Sequence, residues 1–574
     1  MKQKWIALLL AAVMVLSLLA GCGGTAASSA QASVGSAAEM GSPEAAAPDT
    51  APTEAAADTE EASAEDVAPE ETAEEPEYAT VSYPITEEPL TLSIFWQFHM
   101  FLSMFGVTQD IIPTIPTFQM AEEKTGVKLD FHLVGEENFG NSLQLLWASG
   151  DYCDFITNAE REYTAGVDSA VEQDILLDLV PYLEEHGPDY LRILDQHPDF
   201  RLDLTSSEGH IVSFSEYCEY YDNGVVIRKD WLDQVGMEAP RTMDEVAEVA
   251  RVFRDELGIR NPVMWNSDLS SFFGWTAFGV AKPEMSDLGW QVLEDGKTVA
   301  PAVTLDGYRE CLQWMHDAFE EKLCTDDFMN VLNLAYDDYV YGNETGICYS
   351  SSNLLAGGGA ERSGQPGYDL RPIPDPMKEA GMENRLEKTT GGVGASALAV
   401  SAQTEYPEEC VEYMNWLYTD EGILVSNYGI EGDGFVYGED GKPQYTDVIM
   451  NPGEMPVFVA TFLHTSLVGT PYYNTTERKI ASFTTEAERE CIDVWLTGRT
   501  GADLYHGKLT MEESEEYNRT VSDIATAAAE QSLRFVTGDR SLDEYDAFIE
   551  DLRAMGLDRL TEIKQAAYDR YLEA

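Results

Sequence analysis

LTLSIFW at residues 90–96, VKLDFHLV at 127–134 and CDFITN at 153–158 are three short apolar runs, separated by two amphipathic ones, TIPTFQMAEEKTG (114–126) and SLQLLWASG (142–150). Short runs rich in branched and aromatic residues read as strands; longer ones with apolar residues every three or four positions read as helices. A strand–helix–strand–helix–strand order requires crossover connections, which leave successive strands parallel and place the helices on the faces of the sheet. The stretch therefore predicts an α/β fold built on a mostly parallel sheet flanked by helices. Ligands of such sheets sit at the carboxyl ends of the strands.

Upstream the composition changes completely. Trp5 to Ala20 is a run of sixteen uncharged residues behind two lysines. It is short of the roughly 20 residues that span a bilayer comfortably, and it reads as a secretory signal peptide. It ends in Leu19-Ala20-Gly21-Cys22, which is similar to the bacterial lipobox; Cys22 is the expected lipidated N-terminus after cleavage of residues 1–21. Residues 22–87 are dominated by Ala, Glu, Asp, Pro, Ser and Thr, and no Lys or Arg occurs between Lys4 and Lys124. Such a segment buries too little apolar surface to offset its ordering entropy and is expected to be a disordered, self-repelling linker. The residues from 88 to 574 are too many for one hydrophobic core and comfortable for two.

With 35 basic against 103 acidic residues the chain carries a formal charge of −68. This argues against nucleic acid and against adhesion to anionic lipid through basic patches. Seven cysteines follow Cys22 (Cys153, Cys218, Cys311, Cys324, Cys348, Cys410 and Cys491), none in CxxC spacing and mostly in apolar contexts. Buried thiols are expected rather than a disulfide framework. No HExxH, GxSxG or phosphate-loop pattern is present. TGGVGAS (390–396) lacks the lysine of a phosphate loop, so its glycines predict a turn or a close approach of backbone. EGDGFVYGEDGKP (431–443) lacks the residue order of a calcium loop, and no metal or other cofactor is expected.

Several segments carry a resemblance to the bacterial extracellular solute-binding proteins of family 1. LQLLWASGDYCDFI (143–156) resembles their SGDxPDI element, with Cys153 in place of the usual proline. GVVIRKDWLDQVGMEAPRTMDEVAEVARVFRD (224–255) resembles their YNKDxLxxxGxxxPxTWDE segment, with Met243 in place of tryptophan. The physical logic of the second is independently readable: Pro240 ends one helix, Thr242 and Glu245 form a capping box, and Met243, Val246, Ala247, Ala250, Phe253 and Leu257 share one helical face. ECVEYMNWLYTDEG (409–422) resembles another family helix. The tail at 535–573 is similar to that of the LplA-like lipoprotein subgroup, with Ser541 and Glu544 expected to cap its helix over Leu542, Tyr545, Phe548, Ile549 and Leu552.

The resemblance implies a two-lobe, periplasmic-binding-protein-like fold of type II. Lobe one is then expected at 88–222, returning near 388–430; lobe two at 223–387, continued in 431–574, with SFSEYCEYYDNGVVI (213–227) as the first crossing. It also implies a lipid-anchored, monomeric binder that hands a carbohydrate to the transmembrane subunits of an ABC permease and catalyses nothing. The alternatives are a lipid-anchored glycan hydrolase using a pair of carboxylates, or a binder of a non-sugar ligand such as a peptide. Sugars offer apolar faces to aromatic rings and hydroxyls to polar side chains. The positions where family loops meet the cleft accordingly name Trp96, Phe98, Asn158, Glu160, Tyr220, Tyr221, Trp265, Phe273, Trp275, Tyr349, Asp433 and Tyr472 as candidate ligand contacts.

Overall fold

A computed structural model describes residues 78–574 apart from 284–286, 326–327, 331–335, 358, 454, 466–469 and 574. Cys22 and the linker as far as residue 77 lie outside the described residues. Two sheets organise the rest. The first contains β1 (Leu90–Phe98), β2 (Val127–Gly135), β3 (Phe155–Thr157) and β4 (Ser213–Cys218). The second contains β5 (Asn223–Arg228), β6 (Asn261–Val263), β7 (Thr345–Ser351) and β8 (Leu370–Ile373). The chain then returns to the first sheet with β9 (Gly392–Val400) and β10 (Tyr473–Asn474). The strand orders are β10-β4-β9-β3-β1-β2 and β8-β5-β7-β6.

β1 lies inside its sheet, and its residues are buried on both faces. Ile94 and Trp96 enter one core with Tyr190, Phe214 and Trp416, while Phe95 enters the opposite one with Phe139 and Leu143. This is why its sequence is nearly continuously apolar. At the edge of the sheet β2 alternates buried or half-buried residues with exposed ones over most of its length. The pairs β1–β2, β1–β3 and β10–β4 are parallel. β9, which arrives from the other lobe and so runs in reverse, is antiparallel to β3 and β4. The second sheet is mixed: β6–β7 is parallel, while β5, entering from the crossing, is antiparallel to β7 and β8. The expectation of mostly parallel sheets therefore describes the first lobe better than the second.

The helix Met243–Leu257 starts at a capping box of Thr242 and Glu245 and buries Met243, Val246, Ala247, Ala250 and Phe253, on the face read from its sequence. Ser541 caps differently from expectation. Its hydroxyl accepts from Asp543 N at the start of a 3₁₀ turn, Leu542–Glu544, and the helix proper begins at Tyr545. The second core gathers Val225, Ile227, Phe253, Trp275 and Phe548. Arg228, fully buried, lies at the end of β5. Four buried cysteines (Cys153, Cys311, Cys410 and Cys491) and the half-buried Cys218 are free thiols; burial pushes Cys153 up to about 11 and Cys218 and Cys491 up to about 12. No helix among the described residues is long and apolar enough to cross a membrane.

Two boundaries differ from the sequence reading. The helix Val457–His464 puts Val459 and Phe462 into the core of the first lobe, and β10 pairs with β4. The helix at 457–464 and the strand at 473–474 thus belong to the first lobe, well beyond 430. The other boundary is at the start of the body, where residues 78–87 are part of it rather than of the linker. Tyr83 and Ile85 pack against the first core, the Tyr83 hydroxyl donates to Glu412 O at 3.3 Å, and Ile85 N donates to Thr125 O at 2.8 Å. The composition turns aromatic and branched at YATVSYPI (78–85), which is where burial begins. Truncation at Glu88 is therefore expected to lower stability by about 1–3 kcal/mol relative to truncation at Glu75. Coincident urea midpoints for the two would overturn this.

Candidate ligand-binding cleft

The carboxyl ends of β1, β3 and β4 point toward the second lobe. After β3 the chain turns through Asn158, whose φ of 52° is a left-handed conformation that asparagine tolerates. Asn158 Oδ1 accepts from Ala397 N at 3.0 Å, and its own N donates to Ala397 O at 3.0 Å, so its amide fastens this turn to β9. The short helix that follows presents Glu160 and Arg161. Arg161 donates to Ala395 O at 3.1 Å and Gly394 O at 2.6 Å. The glycines of TGGVGAS do allow a close approach: a Cβ on Gly394 would stand 2.5 Å from the Glu216 carboxylate, which accepts from Ala395 N at 3.1 Å.

Two cavities open beside this turn, both walled by the first lobe on one side and by residues 500–514 on the other. The smaller, about 360 Å³, is lined by Glu160, Arg161, Asp168, Ser206, Ser207 and Lys508 among others. The larger, about 450 Å³, is lined by His197, Tyr217, Lys388, Thr390, Gly391 and His506 among others. They meet at Asp203 and Val393, which line both. Glu160 is 14% exposed at its side chain, and one of its oxygens lies 3.4 Å from Arg161 Nε. Its Oε2 is buried without a hydrogen-bond partner. Burial raises its pKa above the ordinary value. A carboxylate oxygen kept dry and unpaired is costly; Glu160 lines the smaller cavity, while this oxygen lies beneath the cavity surface. Asp168, in contrast, is fully engaged, accepting from the hydroxyls of Ser206 and, at 2.5 Å, of Ser207. Among the described residues no three His, Cys, Asp or Glu stand together as a metal site.

The other candidates divide into three groups. Trp96, Phe98, Tyr220, Trp265, Phe273, Trp275 and Tyr472 are 0–8% exposed and belong to the packed interior. Trp96 packs against Phe118 and Phe131, and Trp265 against Phe272. Trp275 Nε1 donates to Leu269 O at 2.6 Å. As cleft contacts these seven are corrected: the apolar area of each ring favours burial, and the interior takes it up. Tyr221 and Tyr349 are brought together, hydroxyl to hydroxyl at 3.2 Å, in a polar cluster where Tyr349 donates to Glu387 at 3.3 Å and Lys282 lies 3.8 Å over its ring. Neither lines the two cavities. Asp433 pairs with His464 at 2.7 Å in a turn beside the hairpin 435–445, and it too is away from them. Asn158 positions the site and Glu160 faces it. Asp203, His197, Lys388, Thr390, His506 and Lys508 escaped the sequence reading, for isolated polar residues in loops or in and beside a short helix carry no periodic signal; only the glycines at 391–392, which line the larger cavity, stood out.

The profile of the bacterial extracellular solute-binding protein family matches residues 109–423, more than half of the chain, and the protein belongs to that family. Its members bind solutes and are not enzymes. Lipoprotein LipO of Bacillus subtilis is 21% identical over 337 residues, 55% of this chain and 63% of its own. The fructooligosaccharide ABC transporter substrate-binding protein FusA of Streptococcus pneumoniae is 22% identical over 337 residues, 55% of this chain and 60% of its own. The chain thus matches less than two thirds of the length of either relative. Among solved structures, the alginate-binding protein AlgQ2 superposes with a TM-score of 0.67 at 19% identity, covering 85% of this chain and all of AlgQ2 (100%). That likeness establishes the type II two-lobe fold.

Proposed function

We propose that the protein is the solute-binding component of an ABC importer, that its ligand is an oligosaccharide, and that lipidated Cys22 holds it at the outer face of the cell membrane. The observation that carries this reading is the interlobe cleft, where serines, a carboxylate residue and a lysine line a space of ligand size. Carboxylates, hydroxyls and ammonium groups are the side chains that pair with a rim of sugar hydroxyls. FusA, named for fructooligosaccharides, and AlgQ2, named for alginate, suggest the probes. Transport needs no chemistry at the cleft: ligand favours the closed arrangement, and the permease recognises it.

Calorimetry of the full chain against fructooligosaccharides and alginate oligosaccharides is expected to give micromolar binding to at least one series, about −8 kcal/mol. Absence of heat with every member would overturn the carbohydrate reading, and release of shortened products would revive the hydrolase. Cys22→Ser is expected to move the protein from the membrane fraction to the medium. Retention on membranes in high salt would overturn the lipid anchor.

A further inference from the structure

Asp203 stands where the two cavities meet. It lies in the last turn of the first-lobe helix Pro198–Leu204, and two side chains of the second lobe reach it. Lys508 Nζ donates to its carbonyl oxygen at 2.8 Å, and His506 Nδ1 lies 3.7 Å from its carboxylate. Lys508 lines the smaller cavity, His506 the larger, and Asp203 both. A polar strut therefore crosses the cleft and divides it into two chambers. At about 360 and 450 Å³, each exceeds the roughly 300 Å³ at which ligand sites begin.

The chambers differ chemically. The smaller offers point contacts: Glu160, whose side chain keeps 14% exposure, and Lys508, whose ammonium has three hydrogens and donates one across the cleft. The larger offers a flat surface. His197 stacks on Tyr217 with ring centroids 4.1 Å apart and planes 26° from parallel, in a chamber lined also by Gly391 and Gly392. Hydrogen-bonding anchors on one side and a ring shelf beside bare backbone on the other suit successive parts of one chain better than one compact molecule.

On the carbohydrate reading above, we infer that the ligand is a linear oligosaccharide held as two segments, an anchoring one in the Glu160 chamber and a trailing one in the His197 chamber, with the chain passing the Asp203 strut. Chain length is then read by the second chamber. The test uses the full chain and the same two oligosaccharide series, from one to five units, measured by calorimetry. Thr390→Trp fills the larger chamber and Ser514→Trp the smaller; both positions are on the cleft surface, and melting curves verify that each variant folds.

Affinity is expected to rise at least tenfold once the chain reaches both chambers and then to level off. Thr390→Trp should remove that gain while leaving the shortest binders within twofold, and Ser514→Trp should weaken every length. Affinity independent of length, or a Thr390→Trp penalty equal for short and long members, would overturn the two-segment site while leaving a carbohydrate binder. Absence of binding by any member would overturn both.

Discussion

Replacing Arg228 by leucine is expected to cost about 3–5 kcal/mol of stability, the range for breaking a buried ion pair from one side. Its guanidinium is fully buried, donating to Asp230 through Nε at 2.8 Å and Nη2 at 2.7 Å. It donates further to Asn343 at 2.8 Å and Gln365 at 2.9 Å, between the rings of Trp231 and Tyr368 at 4.0 and 4.3 Å. Leucine fills part of the volume but strands a carboxylate and two amide oxygens. Lysine would not rescue it, because an ammonium cannot reproduce the planar fork or the stacking. Urea unfolding measures the effect. A loss under 1 kcal/mol would mean that the partners relax to solvent and that the network contributes little.

The second large effect concerns Glu160 and should run in opposite directions for stability and binding. Burial raises its pKa in the folded state. A raised pKa means that the folded state holds the proton more tightly. Its stabilising contribution is full below the unfolded-state pKa, about 4.3, and is lost as pH rises through the folded value. Glu160→Gln keeps the shape without the charge, so it should stabilise the protein at pH 7–8 by about 1–3 kcal/mol, with the advantage gone below about pH 4. The same change should weaken oligosaccharide binding about tenfold, the order of one charged hydrogen bond. A variant less stable than the parent at neutral pH would show that the carboxylate is favourably held and not strained toward a ligand.

Local patterns carried much of the fold. The apolar alternation and runs at 90–158 defined β1, β2 and β3, and the Thr242–Glu245 pair marked the start of its helix, because these signals depend on neighbours within a turn or two. The site is assembled differently. Glu160, Asp203, Val393 and Lys508 come from four separate segments, and only the crossing of β4 and β9 brings them together. Of these only Glu160 was named, through its place after a strand. The aromatic candidates went astray for a general reason. Trp96 lies near the end of β1 and Trp265 just past β6, where a ligand could lie, but an indole gains as much from a core as from a sugar, and composition does not separate the two. The boundary at residue 430 failed because β10 is only two residues long; so short a strand has no period to read.

The thiols carry one last consequence. Cys153, Cys311, Cys410 and Cys491 lie inside the folded body, and burial holds them protonated and unreactive. In an oxidising exterior this native state is shielded from air and indifferent to reductants, since it needs no disulfide among these cysteines to fold. Its unfolded state has neither protection. Once opened, the chain bares several nucleophilic sulfurs at once, and random cross-linking competes with refolding. Heat denaturation should then be chemically one-way in air and recoverable under a reducing agent, so the working lifetime outside the cell is set by how rarely the body opens.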